Sequence, residues 1–336
     1  MRKAFVVLTI LLQIIVLGYM AGEREHILRN GKIIYLRTAP IDPRDLFRGD
    51  YVRLNYEISN IAATKLPPVE SPKINKGAKV YVSLRESPGG LYELDQVNIN
   101  KPQTGIYLTG RSTYDYHHQK QGHPLWLKYG IEAYFVQQGK GRQMEKRLGN
   151  RNEVQVPLEM QIAVGSAGKT VIKGHRWSPI GMGLQVLRSP PPDTQRTTEP
   201  LSAKVGLTLA NASDAPLAFI ILPNDCSFSL EASQTAKKEW VLADTPCQPA
   251  QPAEDDVVVL QPGEEIAFEF DFHDERWFVQ ADNSKPIEIG SLDWSEQFRL
   301  IYRPPDRAAT SHLKNQDLIW HGYLPSRAFH GRGRID

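Results

Sequence analysis

The chain opens with an uncharged run from Ala4 to Gly22, rich in Leu, Ile and Val, behind Arg2 and Lys3. No polar face recurs at helical spacing, so the run is apolar all round, as membrane helices are and surface helices are not. It is just long enough to cross a hydrocarbon core of about 30 Å. The basic pair on its N-terminal side places that end in the cytoplasm and everything after Glu23 outside. A cleaved signal peptide wants small residues at the third and first positions before the cut. Cleavage after Ala21 or Gly22 would put Tyr19 or Met20 at the third, so an uncleaved anchor over 1–22 is the expectation.

From Gly31 to Leu187 the pattern is strand, turn, strand. Val52, Leu54, Tyr56 and Ile58 alternate with Arg53, Asn55, Glu57 and Ser59, a period of two. Lys32–Leu36, Lys79–Leu84, Gly105–Leu108 and Ile131–Val136 also read as strands, and Arg142–Leu148 as a short helix. The clearest alternation sets Val154, Val156, Leu158, Met160, Ile162 and Val164 against Gln155, Glu159 and Gln161. Gly165-Ser-Ala-Gly168 then turns the chain into Lys169–Lys173, which predicts a β-hairpin.

SPPPDTQRTTEP, Ser189 to Pro200, has three consecutive prolines and no large apolar residue, the composition of a semi-stiff linker. Beyond it, short strand-like runs recur every eight to fifteen residues or so, between turn signals such as Gln261-Pro-Gly263. The expected fold class is all-β. It comprises a transmembrane helix (1–22), a mixed β-rich membrane-proximal domain (23–187), a proline-rich linker (188–202) and an immunoglobulin-like β-sandwich (203–336).

Composition changes this picture little. Hydrophobic residues make up 41% and charged residues 23% of 336, enough to bury a sizeable core. The formal charge is only +2, from 40 basic and 38 acidic residues, which argues against a nucleic-acid footprint. The two cysteines, Cys226 and Cys247, read as a disulfide, because the export signal implies an oxidising compartment. Two buried thiols are the alternative.

The stretch Gly49-Asp50-Tyr51-Val52-Arg53-Leu54-Asn55-Tyr56 carries the most specific pattern in the chain. It resembles the motif of the GDYXXLXY family at every fixed position. Pro40–Arg48 is similar to the loop before that motif. Tyr129–Val136, Gly139-Lys-Gly141 and Glu145 are similar to the family's second block, although Gln138 stands where an acidic residue is expected. The resemblance spans about 5–187. It implies a membrane-anchored bacterial envelope protein, accompanied by a multi-pass membrane partner.

Physically, the motif reads as a turn at Gly49 followed by a core strand. Read functionally, Arg44, Arg48, Asp50 and Tyr51 form a polar surface for a partner or ligand. Glu132 and Tyr134 share one strand face, as a buried polar pair or as part of that surface, and Glu145 joins the candidates from the second block. The segment also resembles the stretch after the nucleophilic serine of signal peptidases, but DPRDLFR before it contains no serine. Asp115, His117, His118 and His123 lack metal-ligand spacing. Trp240, Trp277, Trp294 and Trp320 read as sandwich core rather than a sugar platform.

The resulting expectation is a non-catalytic scaffold in the bacterial inner membrane, facing the periplasm, with no cofactor and no metal. A glycan- or ligand-binding module using exposed aromatics is the alternative, and an envelope hydrolase a distant third.

Overall fold

The computed structural model describes residues 2–38, 51–62, 65–66, 73–116, 124–137, 140–148, 153–189, 202–233, 236, 238–243, 247, 251–281 and 284–335. The N-terminal helix α1 covers Arg2–Asn30, and its apolar span from Phe5 is long enough to cross a membrane. The side chains from Phe5 to Gly22 are exposed. Such a helix suits a signal anchor or a signal sequence.

α1 does not stop at Gly22. It continues for about two turns through GEREHILRN. The extension has an internal ion pair, Arg29 Nε to Glu25 Oε1 at 2.5 Å, at the favourable four-residue spacing. It also has an apolar side. Ile27 is buried against Ala163 and Val171, with Leu28 and Ile33 beside them. Glu23 pairs with Lys169 on the hairpin turn.

The chain then enters β1 (Lys32–Arg37) with a single glycine between helix and strand. The Gly31 N–H closes the helix on the Ile27 carbonyl at 2.8 Å. A Cβ on Gly31 would lie 2.5 Å from the Ile27 oxygen and 3.0 Å from the Val164 oxygen. Both are backbone atoms that cannot rotate away.

The first half continues with β2 (Tyr51–Arg53), β3 (Asn60–Ile61), β4 (Lys79–Ser87), β5 (Leu91–Asn98), β6 (Ile106–Ser112), β7 (Leu125–Lys128) and β8 (Ala133–Phe135). Helix α2 (Lys140–Leu148), β9 (Leu158–Val164) and β10 (Thr170–Trp177) complete it. Among the described residues, eight strands form one sheet in the order β10-β9-β1-β5-β4-β6-β7-β3. β1 pairs with β5 in parallel, and the other neighbours in this sheet pair antiparallel. The expected hairpin is present as β9–β10, closed by Gly165 and Lys169.

Two sequence expectations need correction. The alternating run 52–58 is not one strand: only β2 is extended, and Glu57–Ser59 forms a 3-10 turn. The alternation still marks the core, since Val52, Leu54, Tyr56 and Ile58 are all buried. Secondly, β9 has no polar, solvated face. Glu159 is only 2% exposed and Ala163 is fully buried, because α1 covers one end of that face and the C-terminal half covers the other.

The second half comprises β11 (Ile180–Arg188), β12 (Lys204–Asn211), β13 (Leu217–Ile220), β14 (Phe228–Ala232), β15 (Val241–Leu242), β16 (Val257–Leu260) and β17 (Glu265–Asp271). β18 (Val279–Gln280), β19 (Gln297–Tyr302), β20 (Leu324–Pro325) and β21 (Phe329–His330) follow. They form several antiparallel sheets, among them β11-β12-β17 and β14-β19-β20. β11 lies before the proline-rich stretch yet pairs with β12 after it along almost its whole length. Most of the linker itself, 190–201, lies outside the described residues. The core is aromatic: Phe228 contacts Phe268, Phe270 and Tyr302, and Trp277 sits edge-on to Phe270 and Phe272. Trp240 and Trp277 are buried as expected, whereas Trp294 is half exposed.

Cys226 and Cys247 form a disulfide, with their Cα atoms 5.5 Å apart. Closing a loop of this size contributes about 3 kcal/mol in the chain-entropy picture. Alkylation without reductant should therefore leave both cysteines unmodified, and Cys226→Ser with Cys247→Ser should lower unfolding free energy by about 2–4 kcal/mol. Gly31→Ala should cost about 1–3 kcal/mol, the range of a backbone clash at one site, read as a lower melting temperature in detergent. An unchanged melting temperature would mean that the helix–strand junction is not rigid.

Candidate functional site

The second half of GDYVRLNY folds back on the second block. β2 pairs with β8 so that Tyr51 faces Phe135, Val52 faces Tyr134 and Arg53 faces Ala133. The ladder continues through Leu54 N–H to the Glu132 carbonyl at 2.8 Å. Two buried tyrosines lock the pairing. The Tyr56 hydroxyl donates to the Ile131 carbonyl at 2.8 Å, and the Tyr129 hydroxyl donates to the Ile58 carbonyl at 2.6 Å. Burial first, and the nearby Glu132 carboxylate second, hold both phenols well above their ordinary range.

Glu132 has a local role in this arrangement. Its carboxylate accepts the backbone N–H groups of Tyr129 at 2.5 Å and of Gly130 at 3.1 Å. Gly130 has φ +82, which a side chain would strain, so carboxylate and glycine together fix the β7–β8 turn. Glu132 is thus engaged with the turn.

Tyr134 points the other way from Phe135, into a groove. Tyr134 and Val136 pack on the first core, while Phe135 is 79% exposed. The reason is the register: Tyr134 faces the buried Val52, and residues opposite each other on antiparallel strands share a side. The groove, about 550 Å³, lies between β8, α2 and β10. Met144 anchors α2 to the core, and Lys140, Gln143 and Arg147 line the opening. Opposite them stand His175 and Trp177 of β10.

The groove's side chains form a chain of ring contacts. The Tyr134 hydroxyl lies 3.1 Å from His175 Nδ1, and the two rings meet edge-on at 5.4 Å. His175 in turn is edge-on to Trp177 at 6.3 Å, and the Arg147 guanidinium covers the Trp177 ring at 4.9 Å. Burial, then the Arg147 charge, push the His175 pKa below its usual 6.5. The imidazole is therefore neutral at pH 7, and Nδ1 can accept the Tyr134 hydroxyl proton in a hydrogen bond. Among the described side chains lining the groove there are cations and rings but no carboxylate.

Of the sequence candidates, the structure brings Tyr134 to this groove and Glu132 to the neighbouring turn. Arg44, Arg48 and Asp50 lie outside the described residues, as do His117, His118 and His123. Tyr51 and Glu145 are placed by their backbones only. His175, Trp177 and Arg147 were missed. The alternation of rings along Lys173–Trp177 was the available signal, but nothing in the sequence brings β10 to β8. Among the described residues no cluster of His, Cys, Asp and Glu could hold a metal ion.

Residues 13–174 match the model of the family described as GDYXXLXY protein. The GDYXXLXY match runs from inside α1 to Gly174, so it takes in Tyr134 and β9 but ends just before His175 and Trp177. The segment from Ile180 onward lies outside it. No curated protein and no solved structure matches the chain.

The His175 shift has a defined sign. The folded form holds the imidazole neutral below the unfolded pKa near 6.5, so its contribution is present above pH 6.5 and is lost as pH falls through the folded value. His321 and His330, also lowered by burial, act in the same direction. Acidification below pH 6.5 should therefore lower the melting temperature, and His175→Asn should flatten part of that slope. An NMR titration placing His175 at or above 6.5 would remove the basis for this.

Proposed function

We propose that the protein is a membrane-anchored, non-catalytic interaction module of the bacterial envelope, held at the inner membrane with its bulk in the periplasm. The observation that carries this reading is the junction of α1 with the sheet. A helix with an exposed apolar span passes through one glycine into a central strand, and Glu23 and Ile27 dock on the β9–β10 hairpin. A tether that only localised a domain would not need this fixation. A rigid one presents the same surface at the same height above the bilayer, which suits a partner that is itself embedded in the membrane.

The groove beside the motif supports a second reading, ligand binding. Tyr134, His175 and Trp177 supply ring faces, and Lys140 and Arg147 supply positive charge. An acidic glycan offers the matching chemistry. For the C-terminal half we retain the immunoglobulin-like arrangement, supported by short antiparallel strands around one aromatic core.

The test is photo-crosslinking in intact membranes from a probe residue replacing the exposed Phe135. The expected outcome is a discrete adduct with a multi-pass membrane protein. The adduct should disappear when a short Gly-Ser insert after Asn30 loosens the junction. Absence of any adduct, or one indifferent to the insert, would overturn the reading.

A further inference from the structure

The two halves of the chain meet around a cleft of about 610 Å³ that borders both cores. The first half contributes Arg37 at the end of β1, Glu57 and Asn60. The second contributes β14, Trp240, Arg299 of β19 and Tyr323. This cleft holds an unusual concentration of unmet hydrogen bonding. Among the described residues, the buried side-chain atoms without a hydrogen-bond partner are Nε and Nη2 of Arg37, Oδ1 of Asn60 and Nε of Arg299. All three residues line this cleft.

Buried polar atoms are nearly always paired, because leaving one unpaired costs about 1–3 kcal/mol and more for a charge. Four such atoms on one cavity wall are therefore not scatter. Arg37 is the strongest case, at 6% exposure. Its Nη1 donates to the Tyr323 carbonyl. Its Nη2 lies 3.9 Å from Glu159, beyond hydrogen-bond range, while the other Glu159 oxygen takes Arg176 at 2.6 Å. Nε and Nη2 form one edge of the guanidinium, the edge that receives a carboxylate or phosphate through two parallel bonds.

Charge around the cleft points the same way. Arg85 pairs with Glu93 at 3.6 Å and Arg303 with Glu231 at 3.9 Å, so these cations have counter-ions of their own. Arg37 and Arg299 both face Glu57. Burial raises the Glu57 pKa against the pull of these two arginines, with Glu93 and Glu159 adding to the rise. The guanidinium atoms without a hydrogen-bond partner, Nε and Nη2 of Arg37 and Nε of Arg299, suit an anion. Asn60 Oδ1 asks in addition for a donor, and Ile58, Leu94 and Leu230 give the cleft apolar wall.

We infer that the cleft between the halves binds the carboxylate end of an N-acylated amino acid or peptide with an apolar side chain. The carboxylate lies on the Arg37 edge and Arg299, and an amide N–H of the ligand donates to Asn60. This site is separate from the Tyr134 groove and does not depend on the scaffold reading.

Calorimetric titration of the full-length protein in detergent micelles tests it. The probes are acetyl-leucine, acetyl-alanyl-alanyl-leucine and acetyl-leucinamide. The expected result is saturable binding of at least one acid and binding of the amide weaker by about tenfold or more. Tighter binding of the longer acid would mark a peptide end as the source, and equal binding a free acyl amino acid. Arg37→Gln should abolish the titration. Asn60→Asp should do the same by adding a negative charge, and it is decisive if Arg37→Gln does not fold. No binding of either acid to the wild type would overturn the proposal. So would equal affinity for acid and amide, or undiminished binding by a folded Asn60→Asp.

Discussion

Everything after the apolar span of α1 is oriented by one junction, where Ile27 of α1 is buried against Ala163 and Val171 and the Gly31 backbone passes between the Ile27 and Val164 carbonyl oxygens. A helix of 29 residues is about 44 Å long, longer than the roughly 30 Å of a hydrocarbon core. A flexible stalk of a few residues there would let the domain tumble. Instead the last turns of the helix cover part of the sheet, and β1 lies between β9 and β5. Tilting the domain would mean peeling Ile27 off Ala163 and separating Glu23 from Lys169. The apolar part of that contact is insensitive to salt, whereas the exposed ion pair adds little.

A second joint fixes the C-terminal half to the same sheet, at the opposite end of the same face. Arg37 and Glu159 are directly opposed on β1 and β9, and Arg176 of β10 closes the carboxylate from the other side. The Arg176 guanidinium also lies 3.8 Å over the Tyr35 ring. Such a buried ionic cluster is a poor source of net stability, because desolvation offsets most of the attraction. Its value is directional: removing one member strands the others without a partner, at about 3–5 kcal/mol. The two halves therefore meet in one geometry, and the polar cleft is the space which that geometry leaves open.

Much of this was legible in the chain and some could not be. The N-terminal apolar helix, the β9–β10 hairpin, the short helix α2 and the Cys226–Cys247 pair each rest on local signals: an apolar run, a period of two, a glycine-bounded turn, a cysteine count. The buried set Val52, Leu54, Tyr56 and Ile58 was also readable, although the extended stretch was not, because Glu57–Ser59 folds into a turn that preserves the alternation. What failed were statements about the second faces of strands. Glu159 looks like a solvated residue, yet it is buried beside Arg37, whose guanidinium meets the Tyr323 carbonyl from far along the sequence. The groove failed for the same reason: Tyr134 and His175 meet through a packing of β8, α2 and β10 that no local pattern encodes.

That failure carries information about how the chain is put together. The face of β1, β9 and β10 under the C-terminal half holds Tyr35, Arg37, Glu159, Gln161 and Arg176, where a buried interface would ordinarily place apolar side chains. The family match covers Tyr35, Arg37, Glu159 and Gln161 of this face but not Arg176, nor Tyr323 or Arg299 of the other half. The residues on the matched side are those of a sheet with one solvated face, and they need no partner when water is present. Where that face is buried, at Arg37 and Glu159, the charged groups have to satisfy one another. Arg176 and Glu159 do so. Nε and Nη2 of Arg37, Oδ1 of Asn60 and Nε of Arg299 have no such partner, and they lie at the seam where the unmatched half meets the sheet.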